Sequence, residues 1–308
     1  MSSSEIEAAA RLIREGQLVA FPTETVYGLG ANALDAAAVD RIYEAKGRPP
    51  TSPLIVHVSS IEMGRELTRA WPDAAESLAR RYWPGPLTLV LPKSDCVPDR
   101  VTAGLNTVGI RMPDHPIALA LIAAAGFPIA APSANRFSEL SPTTAGHVRG
   151  ALGDRVSMIL DGGPTRVGIE STVLSLAGVE PVLLRPGMIS QRDIEYVIGP
   201  VRIQSGTPDA AHPSPGMHPK HYSPRTPVIL VHGGVLPPGR GAYLWIETPA
   251  AAERSIHMPA EPHAYAAALY DTLHQADALG VDWIAVERPP SGTMWAGVLD
   301  RLERASSK

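Results

Sequence analysis

The chain has 308 residues, 44% hydrophobic and 19% charged, with a net charge of −4. Those figures suit a soluble globular protein of one large or two smaller domains, and they exclude a chain-wide nucleic-acid binder, which would be strongly basic. The single cysteine, Cys96, excludes an intramolecular disulfide and a cysteine-based zinc site.

The elements follow in chain order. Ser4 and Glu7 have capping-box spacing, and Gly16 closes the helix they start. The N-terminal stretch lacks the apolar centre of a signal peptide. "QLVAFP" reads as a short buried strand. A helix is predicted over "DAAAVDRIYEAKG", with Asp35 near its N-cap and Gly47 at its stop. "PLIVHV" is a strand, "PDAAESLARRYW" a helix beginning at Pro72, and "PLTLVL" another strand. Further strands are predicted at "TVGIRM", "FPIAAP", "RVSMILD", "STVLSL" and "PVLLRP", with helices at 116–125, 142–151 and 190–198. The apolar stretch 117–132 is broken by Gly126, Pro128 and Pro132 below spanning length. No membrane partner is expected, and a reducing cytoplasm is the expected location.

Helices alternate with strands early and strands crowd together later, which predicts α/β with a mixed sheet. Composition then changes: residues 204–227 carry six prolines in 24 positions and no periodic pattern. Three units are expected: 1–203, a proline-rich linker over 204–226, and a small α/β unit over 227–308.

"FPTETVYGLGANA" contains Gly28-x-Gly30-x-x-Ala33 after an apolar run, the outline of a dinucleotide fingerprint. That reading needs a carboxylate at the end of the next strand, yet "PLIVHVSS" ends in His57 and serines. Pro22, Thr23, Glu24 and Thr25 also separate the strand from the glycines. The fingerprint is a decoy, and no GxxxxGK[ST] loop is present either.

Polar residues nevertheless gather at the predicted strand ends: Thr23, Lys46, Arg48, His57, Arg111, Ser133, Asn135, Glu170, Ser171, Thr172 and Arg185. Singly, each has a structural explanation, such as turn capping for Thr23 and Thr25. Together, Lys46, Arg48, Arg111 and Arg185 would make a pocket for a polyphosphate plus a carboxylate. His57 is evenly balanced between a core residue and a participant in chemistry. His218 and His221 lack the accompanying motif of a zinc site; there is no GxSxG elbow of a hydrolase, and "APSAN" lacks an obvious base partner.

The ordered set "FPTETVYGLGANA", "AKGRP", "PLIVHV", "YWPGPLTLVL", "GIRMPDHPIA", "IAAPSAN", "GIESTV" and "LLRPG" resembles the YrdC-like threonylcarbamoyl-AMP synthases. "SPGMHPKHYSP" before a small C-terminal unit is similar to the two-domain form, although that unit is short. The resemblance implies a YrdC-like twisted open mixed sheet with a basic concave ligand surface, plus a small Rossmann-like α/β domain. It implies synthesis of L-threonylcarbamoyladenylate from L-threonine, bicarbonate and ATP, with Mg2+ accompanying ATP. The product would serve tRNA modification indirectly, through a separate threonylcarbamoyl transferase complex.

By the same resemblance, Lys46, Arg48, Pro50, Thr107, Ser133, Asn135, Ser141, Arg185, His221 and Tyr222 would hold ATP. Thr23, His57, Arg111, Ala131 and Ser171 would hold threonine, with Lys46, Arg48 and His57 as the catalytic set. Lys220, His221 and Tyr222 would belong to a lid that excludes water. An RNA-binding module using the same surface is the rival from another class, but aromatic stacking platforms and long basic runs are absent. The related hydrogenase-maturation enzymes would need zinc-finger cysteines that this chain lacks.

Overall fold

The computed structural model describes residues 2–204 and 222–307. The chain runs α1 (Ser3–Arg14), β1 (Val19–Phe21), β2 (Gly28–Asn32), α2 (Ala36–Lys46), β3 (Ile55–His57), α3 (Ile61–Glu66), α4 (Asp73–Tyr82) and β4 (Leu87–Pro92). Next come α5 (Asp99–Thr102), β5 (Thr107–Arg111), α6 (Pro116–Ala125), β6 (Ile129–Ala130), α7 (Ala145–Leu152), β7 (Met158–Ile159), β8 (Thr172–Ser175), β9 (Val182–Arg185), α8 (Gln191–Ile198) and β10 (Arg202–Ile203). The C-terminal part holds β11 (Val228–Val231), β12 (Gly241–Trp245), β13 (Arg254–His257), α9 (Pro262–Asp277), β14 (Trp283–Glu287) and α10 (Ala296–Ser306).

The first sheet has the order β10-β9-β8-β4-β5-β3-β6-β2-β1-β7 and mixes parallel with antiparallel pairs. Alternation along β1 shows how its two faces are covered. Val19 and Phe21 pack with Ala9, Ile13, Leu121 and Ile122 of α1 and α6, while Ala20 belongs to the core on the other face, which includes Val39 and Ile42 of α2. The C-terminal sheet, β11-β14-β12-β13, is wholly parallel; α9 and α10 pack on one face, and the loop residues Leu236, Ala250 and Ala252 pack on the other.

Gly28 and Gly30 lie inside β2, paired antiparallel with β1, and not in a phosphate turn. A Cβ on Gly30 would stand 2.7 Å from the Phe21 ring and 2.9 Å from Ile129, so close packing inside the sheet requires this glycine. The fingerprint is a decoy for that reason.

Local signals account for most helix ends. Asp35 caps α2 by accepting from Ala37 and Ala38, and Gly47 ends it in the left-handed conformation. The first capping box differs from expectation: it is Ser2 with Glu5, and α1 starts earlier. Ser2 and Glu5 repeat the same spacing two positions upstream, and Glu7 instead pairs with Arg14. The helix expected from 142 begins at Ala145, where Thr144 supplies the cap. The short elements β10, β13 and α3 carry too few residues for a periodic signal.

The two parts meet along a seam that permits backbone approach. A Cβ on Gly297 of α10 would lie 2.9 Å from the Gly187 backbone, and one on Gly168 would lie 2.3 Å from the Ala266 carbonyl of α9. The apolar core of the small domain continues across the seam: Val26, Leu140, Ile169 and Met188 pack with Tyr265, Leu269 and Leu302.

Candidate active site

A narrow cavity of about 50 Å3 opens where β3, β5, β8 and β9 meet the β1–β2 connection and the loop after β6. Its lining brings together Thr23, Arg48, His57, Arg111, Ala131, Ser133, Ser171, Arg185 and Tyr222, along with Thr25 and Glu170. These residues come from segments spread along the chain from Thr23 to Tyr222, as expected of a site built on strand ends.

Arg111 stands at the end of β5, beside His57 in the β3–β5 register. Its guanidinium lies 2.6 Å from Glu24, within ion-pair distance but off the line a hydrogen bond needs. Nε of Arg111 donates to the Gly85 carbonyl at 3.3 Å. Burial, and then the Arg111 charge, push His57 down to about 3, so the imidazole is neutral. Its Nδ1 has no hydrogen-bond partner among the described residues. The Thr23 hydroxyl is occupied locally: it donates to the Val26 carbonyl at 2.7 Å and accepts from two backbone N–H groups. Turn capping and cavity lining thus coexist in one residue.

Two further arginines face the cavity. Arg48 donates to the Ser52 and Pro53 carbonyls, and burial pulls it down to about 10. Arg185 donates to the Ser171 carbonyl and hydroxyl, each at 3.1 Å, and that hydroxyl also meets Thr88 at 2.8 Å. The strand-end hydroxyls therefore orient the guanidinium.

Other expected site residues stand behind the lining. The Lys46 ammonium donates to the carbonyls of Ser133 and Asn135, and burial holds it well below its ordinary value. The Asn135 amide donates to the Arg136 and Glu139 carbonyls. Ser141 donates to Glu170 at 2.5 Å. Lys46 and Asn135 thereby fix the loop that presents Ser133. Pro50 is exposed and outside the lining, and Thr107 begins β5, at the opposite end from Arg111. Lys220 and His221 lie outside the described residues, as does the linker segment 205–221.

Two partners had no sequence signal. Glu24 is buried against Arg111, and Arg301 of α10 donates to Glu170. The small domain has a strand-end cradle as well, but its own Glu287 fills it by accepting from the backbone N–H groups of Ile246, Glu247 and Thr248.

Residues 11–187 match the Sua5/YciO/YrdC family, whose description reads "Telomere recombination", and residues 189–307 match the family described as "Threonylcarbamoyl-AMP synthase, C-terminal domain". The chain belongs to these families. Segment 189–203 matches the C-terminal family, yet its strand β10 pairs with β9 of the first sheet. Threonylcarbamoyl-AMP synthase of Bacillus subtilis (strain 168) is 47% identical over 98% of this chain and 93% of its own. The enzyme of the same name from Pyrococcus abyssi is 45% identical over 98% and 94%. The crystal structure of P. abyssi Sua5 complexed with L-threonine superposes with a TM-score of 0.93 at 44% identity, covering 99% of this chain and 95% of the other. The mixed open sheet and the second, parallel sheet are therefore family architecture. No helix among the described residues is long and apolar enough to cross a membrane.

Proposed function

We propose that the cavity joins L-threonine, bicarbonate and ATP into L-threonylcarbamoyladenylate, releasing pyrophosphate. The observation that carries this reading is the near full-length similarity to threonylcarbamoyl-AMP synthases, combined with three buried arginines, Arg48, Arg111 and Arg185, lining one cavity. Arg111 and Ser171 take the threonine end, where a planar guanidinium suits a carboxylate. Arg48 and Arg185 take the phosphates.

The chemistry needs two steps. The threonine amine attacks the carbon of bicarbonate, and water leaves with the amine proton. A carbamate oxygen then attacks the α-phosphorus, and the bond to the β-phosphate breaks. Positioning and charge neutralisation supply most of the rate. Neutral His57 is a poor base for an amine, so its open Nδ1 serves as a hydrogen-bonding position for threonine. Proton loss is left to the substrates.

Among the described residues, no group of three or more His, Cys, Asp or Glu is placed to hold a metal. Mg2+ would enter with ATP and neutralise charge on the leaving pyrophosphate. The product would pass to a transferase complex acting on tRNA.

The test is pyrophosphate release from MgATP and bicarbonate with threonine, with serine, and with no amino acid, with the product mass measured. Threonine-dependent release with the mass of threonylcarbamoyl-AMP is expected. Intact ATP in every mixture would overturn the reading.

A further inference from the structure

Two buried carboxylates, Glu24 beside the cavity and Glu170 in its lining, each have an arginine, and one of those arginines comes from the other domain. Glu24 is paired with Arg111 inside the first sheet. Glu170, which lines the cavity, receives the Arg301 Nε at 2.7 Å on one oxygen and its Nη2 at 3.1 Å on the main-chain carbonyl. Tyr270 of α9 donates to that same carboxylate oxygen at 3.1 Å, and Ser141 donates to the other. Arg301 is itself locked: its Nη1 donates to the Pro186 carbonyl at 2.9 Å and to Asp300 at 2.6 Å. Its side chain is wholly buried.

The same guanidinium sits 5.3 Å from the centre of the Tyr222 ring, and the Tyr270 ring lies 6.0 Å from it. Tyr222 needs such packing because its backbone is left-handed, with φ of 61°, a conformation unfavourable for a residue with a Cβ. Residues of α9 and α10 thus hold both a carboxylate and a tyrosine that line the cavity.

Charge makes the arrangement consequential. Glu170 and Arg185 line the same cavity, and their charges act on each other. Burial pushes Glu170 up, and the charges of Arg301 and then Arg185 outweigh it and keep the carboxylate ionised. A buried carboxylate without Arg301 would turn its charge on Arg185 and on any phosphate beside it.

We propose that Arg301 is a positioning residue for ATP: it neutralises Glu170, leaves Arg185 to the phosphates, and seats Tyr222 against the cavity. The C-terminal domain is then a working part of the catalytic site. This inference rests on the proposed synthase reaction and deepens it.

The test uses the full-length chain in four forms: wild type, Arg301→Gln, Glu170→Gln and the double variant. Dissociation constants for MgATP and for L-threonine are measured by calorimetry, with melting temperature and pyrophosphate release beside them. Arg301→Gln is expected to weaken ATP by about tenfold or more and threonine by less than about threefold, a split that a general loss of packing would not give. Removing the bare charge in the double variant should recover part of the lost ATP affinity, the remainder belonging to the lost contact with Tyr222. Unchanged ATP affinity in Arg301→Gln, or a double variant no better than the single one, overturns the proposal.

Should Arg301→Gln fail to fold, Arg301→Lys decides, since it keeps the charge and loses the fork. Affinity for ATP held within about threefold supports the charge role, and a tenfold loss overturns it. A wild type that binds ATP but makes no adenylate would sink the synthase reading while leaving the affinity comparison intact. A wild type that does not bind ATP would sink both.

Discussion

The Arg111 guanidinium stands 2.6 Å from the Glu24 carboxylate, and both side chains are closed off from solvent. Glu24 balances the buried cation before substrate arrives and holds it at the end of β5. The carboxylate of threonine would then be the second anion on that guanidinium.

Glu24→Gln should therefore leave Arg111 without its buried counter-charge and cost about 3–5 kcal/mol of stability. Bound threonine would return part of that loss, so its stabilising effect should be larger in the variant than in wild type. Melting temperature with and without threonine measures both. An equal or smaller threonine effect would mean that the amino acid's carboxylate does not reach Arg111.

Arg48→Ala and Arg185→Ala should each lower kcat/KM for ATP by about 10- to 100-fold, the scale of one charge-assisted hydrogen bond of about 1.5–3 kcal/mol. The parameter is read from pyrophosphate release across ATP concentrations. Arg185→Lys should fall well short of wild type, because a point charge cannot repeat the two bonds to Ser171. Normal ATP dependence in Arg185→Ala would move the phosphates elsewhere.

His57 predicts a direction with pH. Burial and then Arg111 lower it to about 3 in the folded protein, against an ordinary value of 6.5. Between those values the unfolded chain binds a proton that the folded chain does not, so stability falls as pH drops from 6.5 towards 3. His147, lowered to about 4 by burial and the neighbouring His274, acts in the same direction. Replacing His57 with Gln should flatten the fall of melting temperature between pH 7 and 4. It should also leave kcat/KM without a change in any acid limb near 6.5, because wild-type His57 is already neutral there. An acid limb near 6.5 that vanishes in the variant would count against a neutral His57.

Lys46 predicts a loss of stability alongside any loss of function. Its ammonium satisfies the Ser133 and Asn135 carbonyls, so Lys46→Met should cost about 1–3 kcal/mol for each buried acceptor left without a donor. The denaturation midpoint measures it. ATP affinity should fall with it, since the Ser133 loop loses its tether. A stable variant with weak ATP binding would instead assign Lys46 to the phosphates alone.

Much of the fold was legible from local features. Asp35 and Gly47 bracket α2 as their side-chain and backbone preferences dictate. The runs around β3, β4 and β5 are apolar enough to mark buried strands. The glycines of "GLGAN" were less transparent. Without the ring of Phe21 packed above them, a strand and a turn present the same letters.

The sequence by itself determined the order of the elements, the strand ends that carry polar groups, and the family motifs from Thr23 to Arg185. Those features depend on neighbours a few residues away, through caps, side-chain alternation and turn chemistry. The tertiary structure alone decided what each charge meets. It sent Lys46 to the carbonyls behind the cavity, gave Arg111 to Glu24, and brought Arg301 to Glu170 across 131 positions of chain. Such pairings are set by how sheets and helices pack at long range, and no local pattern marks which arginine a buried carboxylate will find.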